Sequence, residues 1–433
     1  MDFNEAYQKA IETYKKRTPE SEKAYRQACE YLAGGECRSL AFFNPYPFTL
    51  KKAEGWKMYD LDGNTYIDFL SNYTSLIHGH AHPKHSEAIT GAAALSTASP
   101  AGIEEQVILA KMICERVKSV DKIRFCNSGT EATMFAIRTA KAYTGRKGVI
   151  KMLGAYHGTH DVAAYTIEDA AEGVYIIPYN DLDAARKILK EHSKDIACVI
   201  AEPFLGDGII PAKQGYLKGL RGLCDKYNVV YIMDEVQSFR LSTGGAQKKY
   251  NVHADLTTFA KIIGGGLPVG AFGGKNEIMS VFDHSKDNPL KQSGTFNGNR
   301  ASMAGGIASL KMLDQSKIDY IDSLGERLEL GFEKEIKKRK LPVSITREGS
   351  LLNIHMSSEK PYDYETACKS DNDILRLWYL EMLNRGVFPA PRGLFVISTV
   401  MTDEVIDTAA SAFAGALDVI APIFQGHRPS SVL

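Results

Sequence analysis

Apolar side chains recur at Ile103, Val107, Ala110, Cys114 and Val117, three or four residues apart, and predict a helix with one buried face. The run KIRFCN that follows is short and largely apolar and reads as a buried strand. The alternation then repeats: a helix from about Thr130 to Tyr143, strands GVIKML and GVYIIPY, a helix after Asn180, the strand IACVIAEP, a helix from Tyr216 to Tyr227, and the strands VVYIMDE and LTTFA. Apolar strands alternating with amphipathic helices predict an α/β fold whose mostly parallel sheet is covered on both faces. In such sheets ligands gather at the carboxyl ends of the strands.

The two ends of the chain carry a different pattern. The first holds a charged helix and then YDLDGNTYIDF, whose D-G-N centre predicts a hairpin. After about residue 315 come a long charged helix, short strands near PVSITREGSLLNIH and two further helices. Segments 1–70 and 316–433 are therefore expected to build one smaller α+β domain around a large domain spanning 71–315.

Charge adds little to this picture. Lysine plus arginine equals aspartate plus glutamate at 52 each, so no overall field gathers nucleic acid or an anionic membrane. The seven cysteines are scattered and contain no C-x-x-C pair, as expected of reduced thiols in a cytoplasmic protein. No secretory leader pattern opens the chain, and no apolar stretch is expected to be long enough to span a bilayer.

The strand ends carry the chemistry. NSGTEA places Ser128, Gly129 and Thr130 where a helix begins, a place that suits either an anion or simple helix capping. Asp234 and Glu235 end the strand VVYIMDE, and Tyr156 and His157 follow the strand GVIKML. Lys261 follows LTTFA and precedes three glycines, which are expected to turn the chain tightly beside a ligand. His78, His80, His82 and His85 of HGHAHPKH read as packing and loop hydrogen-bonding groups rather than as a metal set. Together the phosphate-ready helix start, the acid, the ring and the lysine fit a phosphorylated pyridine aldehyde whose carbonyl meets Lys261.

With YDLDGNTYIDF, GHAHP, NSGTEA, YHG, DEV, DLTTFAKIIGGGLPVGAFGG and SGTFNGN in this order, the chain resembles the class III (subgroup II) aminotransferases of the fold type I pyridoxal-phosphate enzymes. The resemblance implies pyridoxal 5'-phosphate as cofactor and a homodimer with shared active sites. It makes Lys261 the Schiff-base lysine and proton shuttle, Asp234 the partner of the pyridine nitrogen, and Tyr156 the stacking ring, with His157 beside it. Ser128, Gly129 and Thr130 would hold the phosphate, joined by Thr295 from the neighbouring subunit. Val236 would cover the other ring face, Gln237 would bond the ring hydroxyl, and Glu202 of AEP would line the site.

Two branches of the family compete. Glutamate-1-semialdehyde aminomutases look similar through GGAQKKYNV and KIIGGGLPVGAFGG, but their glycine-rich AGSG segment after Y-H-G is replaced here by AAYTIEDAAEG. β-Amino-acid aminotransferases of the β-phenylalanine type look similar through GECRSLAFFNPYPFTL, SNYTSLIHGH and APRGLF. That second branch is the one expected, with ping-pong transfer from a β-amino acid to 2-oxoglutarate or pyruvate. It implies that Arg38 binds the donor carboxylate and Arg392 the distal carboxylate of the acceptor, with Tyr73 in the same substrate pocket. An arginine fork suits a carboxylate because two parallel bonds can form.

Overall fold

The computed structural model describes residues 2–163 and 171–424. Most of the segment that stands in place of the aminomutases' glycine-rich stretch, 164–170, lies outside the described residues.

Seven strands form the central sheet: β1 (Lys122–Cys126), β2 (Gly148–Met152), β3 (Val174–Ile177), β4 (Ile196–Ala201), β5 (Val230–Asp234), β6 (Leu256–Ala260) and β7 (Gly270–Gly274). Their spatial order is β1-β7-β6-β5-β4-β2-β3. Only β7 runs against its neighbours, pairing antiparallel with β6 and β1, while the other pairs are parallel. Strands β2, β4, β5, β6 and β7 are buried at every position, which is why the sequence shows continuous apolar runs there rather than alternation. The chain thus has the fold type I α/β architecture.

The covering helices fall where the apolar periodicity puts them. Glu104–Arg116, Gly129–Thr144, Leu182–His192 and Tyr216–Tyr227 each bury one stripe, that of Gly129–Thr144 through Phe135, Ala136 and Ala140. Asp181 caps the third of them by accepting from the N–H groups of Asp183 and Ala184. Gly145 ends the second in a left-handed conformation.

Both ends of the chain meet in a smaller sheet. Lys57–Asp60 and Thr65–Asp68 form the expected hairpin, with Asn64 N–H donating to Asp60 Oδ1 at 2.7 Å. Val387–Phe388 then adds in parallel to Thr65–Asp68. A second small sheet joins Ser344–Glu348, Leu351–His355 and Leu394–Val396, all antiparallel.

Two expectations need correction. The 22-residue helix Asp403–Phe424 is long and apolar enough to cross a bilayer by length and composition. Its Ile406, Phe413 and Leu417 are wholly buried against the helices Gln315–Arg339 and Asn372–Asn384, and Asp407 and Asp418 on it pair with Arg327 and Arg339. Its apolar character thus belongs to a core helix. The segment HGHAHPKH, whose histidines read as loop groups, is not all loop: Pro83 opens the helix Pro83–Leu95, which takes in His85, and its missing N–H costs nothing there.

Candidate functional site

Because β1, β2, β4, β5 and β6 run parallel, the residues just beyond their carboxyl ends share one rim of the sheet. Asp234 ends β5, and the register pairs it with Thr258 of β6 two residues before the strand ends. Glu202 follows β4, Lys261 follows β6, and Tyr156 and His157 follow β2. The helix Gly129–Thr144 starts from the same rim after β1.

Asp234 is buried and held on both oxygens. Its Oδ2 lies 2.8 Å from His157 Nδ1, and its Oδ1 accepts from the N–H of Val236 at 3.0 Å and from Thr258 Oγ1 at 2.9 Å. Burial pushes the His157 imidazole below its ordinary pKa, against the pull of Asp234. The neutral ring then keeps a proton on Nδ1 for the carboxylate, and its buried Nε2 has no hydrogen-bond partner among the described residues. Glu235, by contrast, is structural: it accepts from Ser238 Oγ and from the N–H groups of Ala246 and Gln247.

Lys261 has φ 54°, a left-handed conformation, and among the described residues no group bonds its Nζ. Burial and the charge of Arg392 push its pKa down to about 8, against Asp234 and Glu202. Burial, reinforced by Asp234, pushes Glu202 up to about 8, although the N–H groups of Tyr156 and Gly206 donate to it. Among the glycines after Lys261, Gly265, at φ 60°, lies against the Gly305 carbonyl of the helix Arg300–Met312, and Gly266, at φ 96°, lines the cavity that also holds Arg38 and Tyr73.

At the helix start, Ser128 caps by accepting the Glu131 N–H at 3.1 Å. A Cβ on Gly129 would come within 3.1 Å of Val236 Cγ1, and one on Gly158, at φ 98°, within 2.6 Å of Thr130 Oγ1. The loop after β2 thus lies directly on the helix start. Gln237 Oε1 and Glu202 Oε1 both face Gly206, and the Tyr156 ring is partly exposed.

A cavity of about 480 Å³ opens beside this rim and is lined by Arg38, Leu40, Phe43, Asn72 and Tyr73 among others. The Arg38 guanidinium lies 5.6 Å from the centre of the Tyr73 ring, and the charge of Arg392 acts on both Tyr73 and Lys261. Arg392 lies 3.5 Å from Asp207 Oδ1. Thr295 alone is not brought to the rim: it is exposed on the segment whose Asn297 bonds Asn127 at 2.8 Å. Thr258 and Asn72 escaped the sequence reading. Two adjacent threonines, Thr257 and Thr258, inside an otherwise apolar strand were the available signal for the first without saying which of them faces the site, and nothing marks the second.

His80 Nε2 pairs with Asp68 Oδ2 at 2.7 Å, and His78 bonds Thr399 Oγ1 and the Ser309 carbonyl. Among the described residues no group of three or more histidines, cysteines and carboxylates is arranged to hold a metal.

Compared with known proteins, residues 43–417 match the family Aminotransferase class-III. The chain is 38% identical to the glutamate-1-semialdehyde 2,1-aminomutase of Citrifermentans bemidjiense, over 90% of this chain and 97% of that protein. Among solved structures it is similar to a β-phenylalanine aminotransferase from Variovorax paradoxus, 31% identical with TM-score 0.93 over 97% of this chain and 98% of that one. It is likewise similar to a transaminase with PLP bound, 34% identical with TM-score 0.88 over 94% of this chain and 99% of that one.

Proposed function

Since the chain belongs to the class-III aminotransferases and is a pyridoxal-phosphate enzyme, we propose that it moves an amino group from a β-amino acid to a keto acid, 2-oxoglutarate or pyruvate. The observation that carries the reading is the pair of arginines around Tyr73, one of them within electrostatic reach of Lys261. Two arginine forks beside one cavity suit two carboxylate-bearing substrates that share a site in turn. The similarity to the β-phenylalanine aminotransferase supports the choice of donor.

The residues at the rim fit the cofactor. Lys261 offers a half-buried amine and Asp234 a buried carboxylate, and Gly129 and Gly158, having no Cβ, let Val236 and Thr130 close tightly around the helix start. Bound pyridoxal phosphate supplies a carbonyl for amine exchange and an electron sink for the substrate carbon. Lys261 Nζ would hold the cofactor and, when displaced by a substrate amine, would be the group placed to move a proton at the reacting carbon. Asp234, kept in place by His157 and Thr258, holds a proton on the pyridine nitrogen. Ser128, Gly129 and Thr130 receive the phosphate at the positive end of the helix, joined by Thr295 of a second subunit. Tyr156 and Val236 would cover the ring, Gln237 would bond its hydroxyl, and Glu202, raised to about 8, lines the site as a neutral acid at pH 7. In this reading 71–315 is the cofactor-bearing domain, and 1–70 with 316–433 closes over it.

A second reading is an aminomutase that completes both half-reactions on one substrate. Identity to named relatives such as the Citrifermentans bemidjiense enzyme favours it over transfer from β-amino acids. A donor panel decides between the two. Aromatic and aliphatic β-amino acids are each supplied with 2-oxoglutarate and with pyruvate, and glutamate-1-semialdehyde is supplied alone. Consumption of a β-amino acid only when a keto acid is present supports the first reading. Isomerisation of the semialdehyde without any keto acid, with β-amino acids untouched, supports the second.

A further inference from the structure

Ser71, Asn72, Tyr73 and Thr74 stand at φ 48°, 47°, 55° and 76°, four consecutive side-chain-bearing residues in the left-handed region. Such residues visit that region singly, and a run of four costs backbone energy that its surroundings must offset. Here the offset is visible. Asp68 Oδ1 accepts from the N–H groups of Leu70 at 2.8 Å and Ser71 at 2.9 Å, and His80 holds the other oxygen of Asp68. The turn is closed by Thr74 N–H to the Leu70 carbonyl at 3.2 Å and Leu76 N–H to the Ser71 carbonyl at 3.0 Å.

The turn delivers two side chains to the cavity wall. Asn72 Oδ1 accepts from Arg38 Nη1 at 2.7 Å, and the Arg38 guanidinium lies 5.6 Å from the centre of the Tyr73 ring. The Tyr73 hydroxyl donates to the Leu40 carbonyl, tying the turn to the segment that carries Arg38. Arg38 is itself exposed, and a long exposed side chain is ordinarily spread over many rotamers. Two contacts from one strained turn hold this one.

We propose that Asn72 is a positioning residue that holds the Arg38 fork ready for a donor carboxylate, and that the left-handed turn is maintained for this purpose. The inference rests on the reading that Arg38 binds that carboxylate. A pre-oriented fork loses less freedom when it binds, so the benefit falls on donor binding rather than on the chemical step.

Asn72→Gly tests the effect, because glycine keeps the left-handed conformation without strain and removes the acceptor, together with the Nδ2 bond to Ser75 Oγ at 3.1 Å. In the holoenzyme its KM for a β-amino acid should rise about tenfold, the worth of one hydrogen bond to a charged group. Its kcat should stay within about twofold on the same argument. Binding of 3-phenylpropanoate, a carboxylate without an amine, should weaken by the same factor in calorimetry. Asn72→Ser, which keeps a short acceptor, should recover part of the loss. In an Arg38→Ala background, Asn72→Gly should add nothing further. An equal additional loss in that background, or a fall in kcat with KM unchanged, overturns the role for Asn72. If Arg38→Ala itself leaves β-amino acids and 3-phenylpropanoate bound as in the parent, the carboxylate reading of Arg38 fails instead.

Discussion

Lys261 follows Ala260, which is fully extended, and turns at once into the left-handed region at φ 54°. For a residue with a side chain this conformation costs about 1–2 kcal/mol, and it is retained at the one position where the strand must end and an amine must face the rim. The same burial pushes the amine down to about 8. Only the neutral amine attacks a carbonyl, so the direction of the shift decides the behaviour. Below about 8 the nitrogen is an ammonium ion, and as pH rises through that value it becomes reactive. The apoenzyme should therefore capture pyridoxal phosphate about tenfold faster at pH 8 than at pH 6.5, with a plateau above pH 9, whereas an ordinary lysine would keep accelerating to about pH 10.4. Stopped-flow absorbance of the apoenzyme mixed with cofactor measures this, and a rate still climbing tenfold per unit at pH 9.5 contradicts it. Lys261, Asp234 and Tyr156 were legible in the sequence because each follows an apolar strand, where a polar residue stands out. Thr258 and Asn72 were not: one lies inside a strand, and the other owes its place to backbone angles that no residue pattern announces.

At the scale of elements, the sequence carried most of the central sheet. Strands buried on both faces leave unbroken apolar runs, and helices packed on them leave a 3.6-residue stripe, so both periods were readable. The function of the glycines was less so. Those after Lys261 divide their roles: Gly265 lies against the backbone of the helix Arg300–Met312, which follows some 40 residues further along the chain, and Gly266 lines the cavity. Gly158 carries the contact that shapes the site, because it lets the loop after β2 rest on Thr130 while Thr133 Oγ1 donates to the His157 carbonyl at 2.5 Å. Gly158→Ala adds a Cβ with no room at 2.6 Å from Thr130 Oγ1 and forces an unfavourable φ. Strain of about 1–3 kcal/mol should lift the loop from the helix start and raise the cofactor's dissociation constant about tenfold or more. Titration of the apoenzyme followed by visible absorbance tests this. Parent-like affinity would mean that the loop and the helix start do not form one binding surface.

At the scale of the whole molecule, the segment around Thr295 is where the proposed shared site of a dimer can be tested. It is tied down from behind, by Gln106 Nε2 to the Gly298 carbonyl at 3.0 Å, by Asn299 to the Thr97 carbonyl at 2.6 Å, and by Asn297 to Asn127. Around it Leu95, Val107 and Phe296 are 72%, 68% and 60% exposed. Large apolar side chains grouped on a fixed surface mark an interface, and a two-fold dimer would bring the same segment of each subunit toward the other's site. If Thr295 serves the neighbouring subunit's phosphate, lesions in Thr295 and Lys261 belong to different sites when they are on different chains. Thr295→Ala and Lys261→Ala homodimers should both be strongly impaired. After unfolding and refolding as an equal mixture, half of the dimers should be mixed, each with one site carrying both lesions and one carrying neither. Activity should then recover to about a quarter of the parent value per site. Mass spectrometry of the mixed species establishes that exchange has occurred. Activity no higher than the mean of the two homodimers, with exchange established, would place Thr295 outside the partner's site and leave each subunit complete on its own.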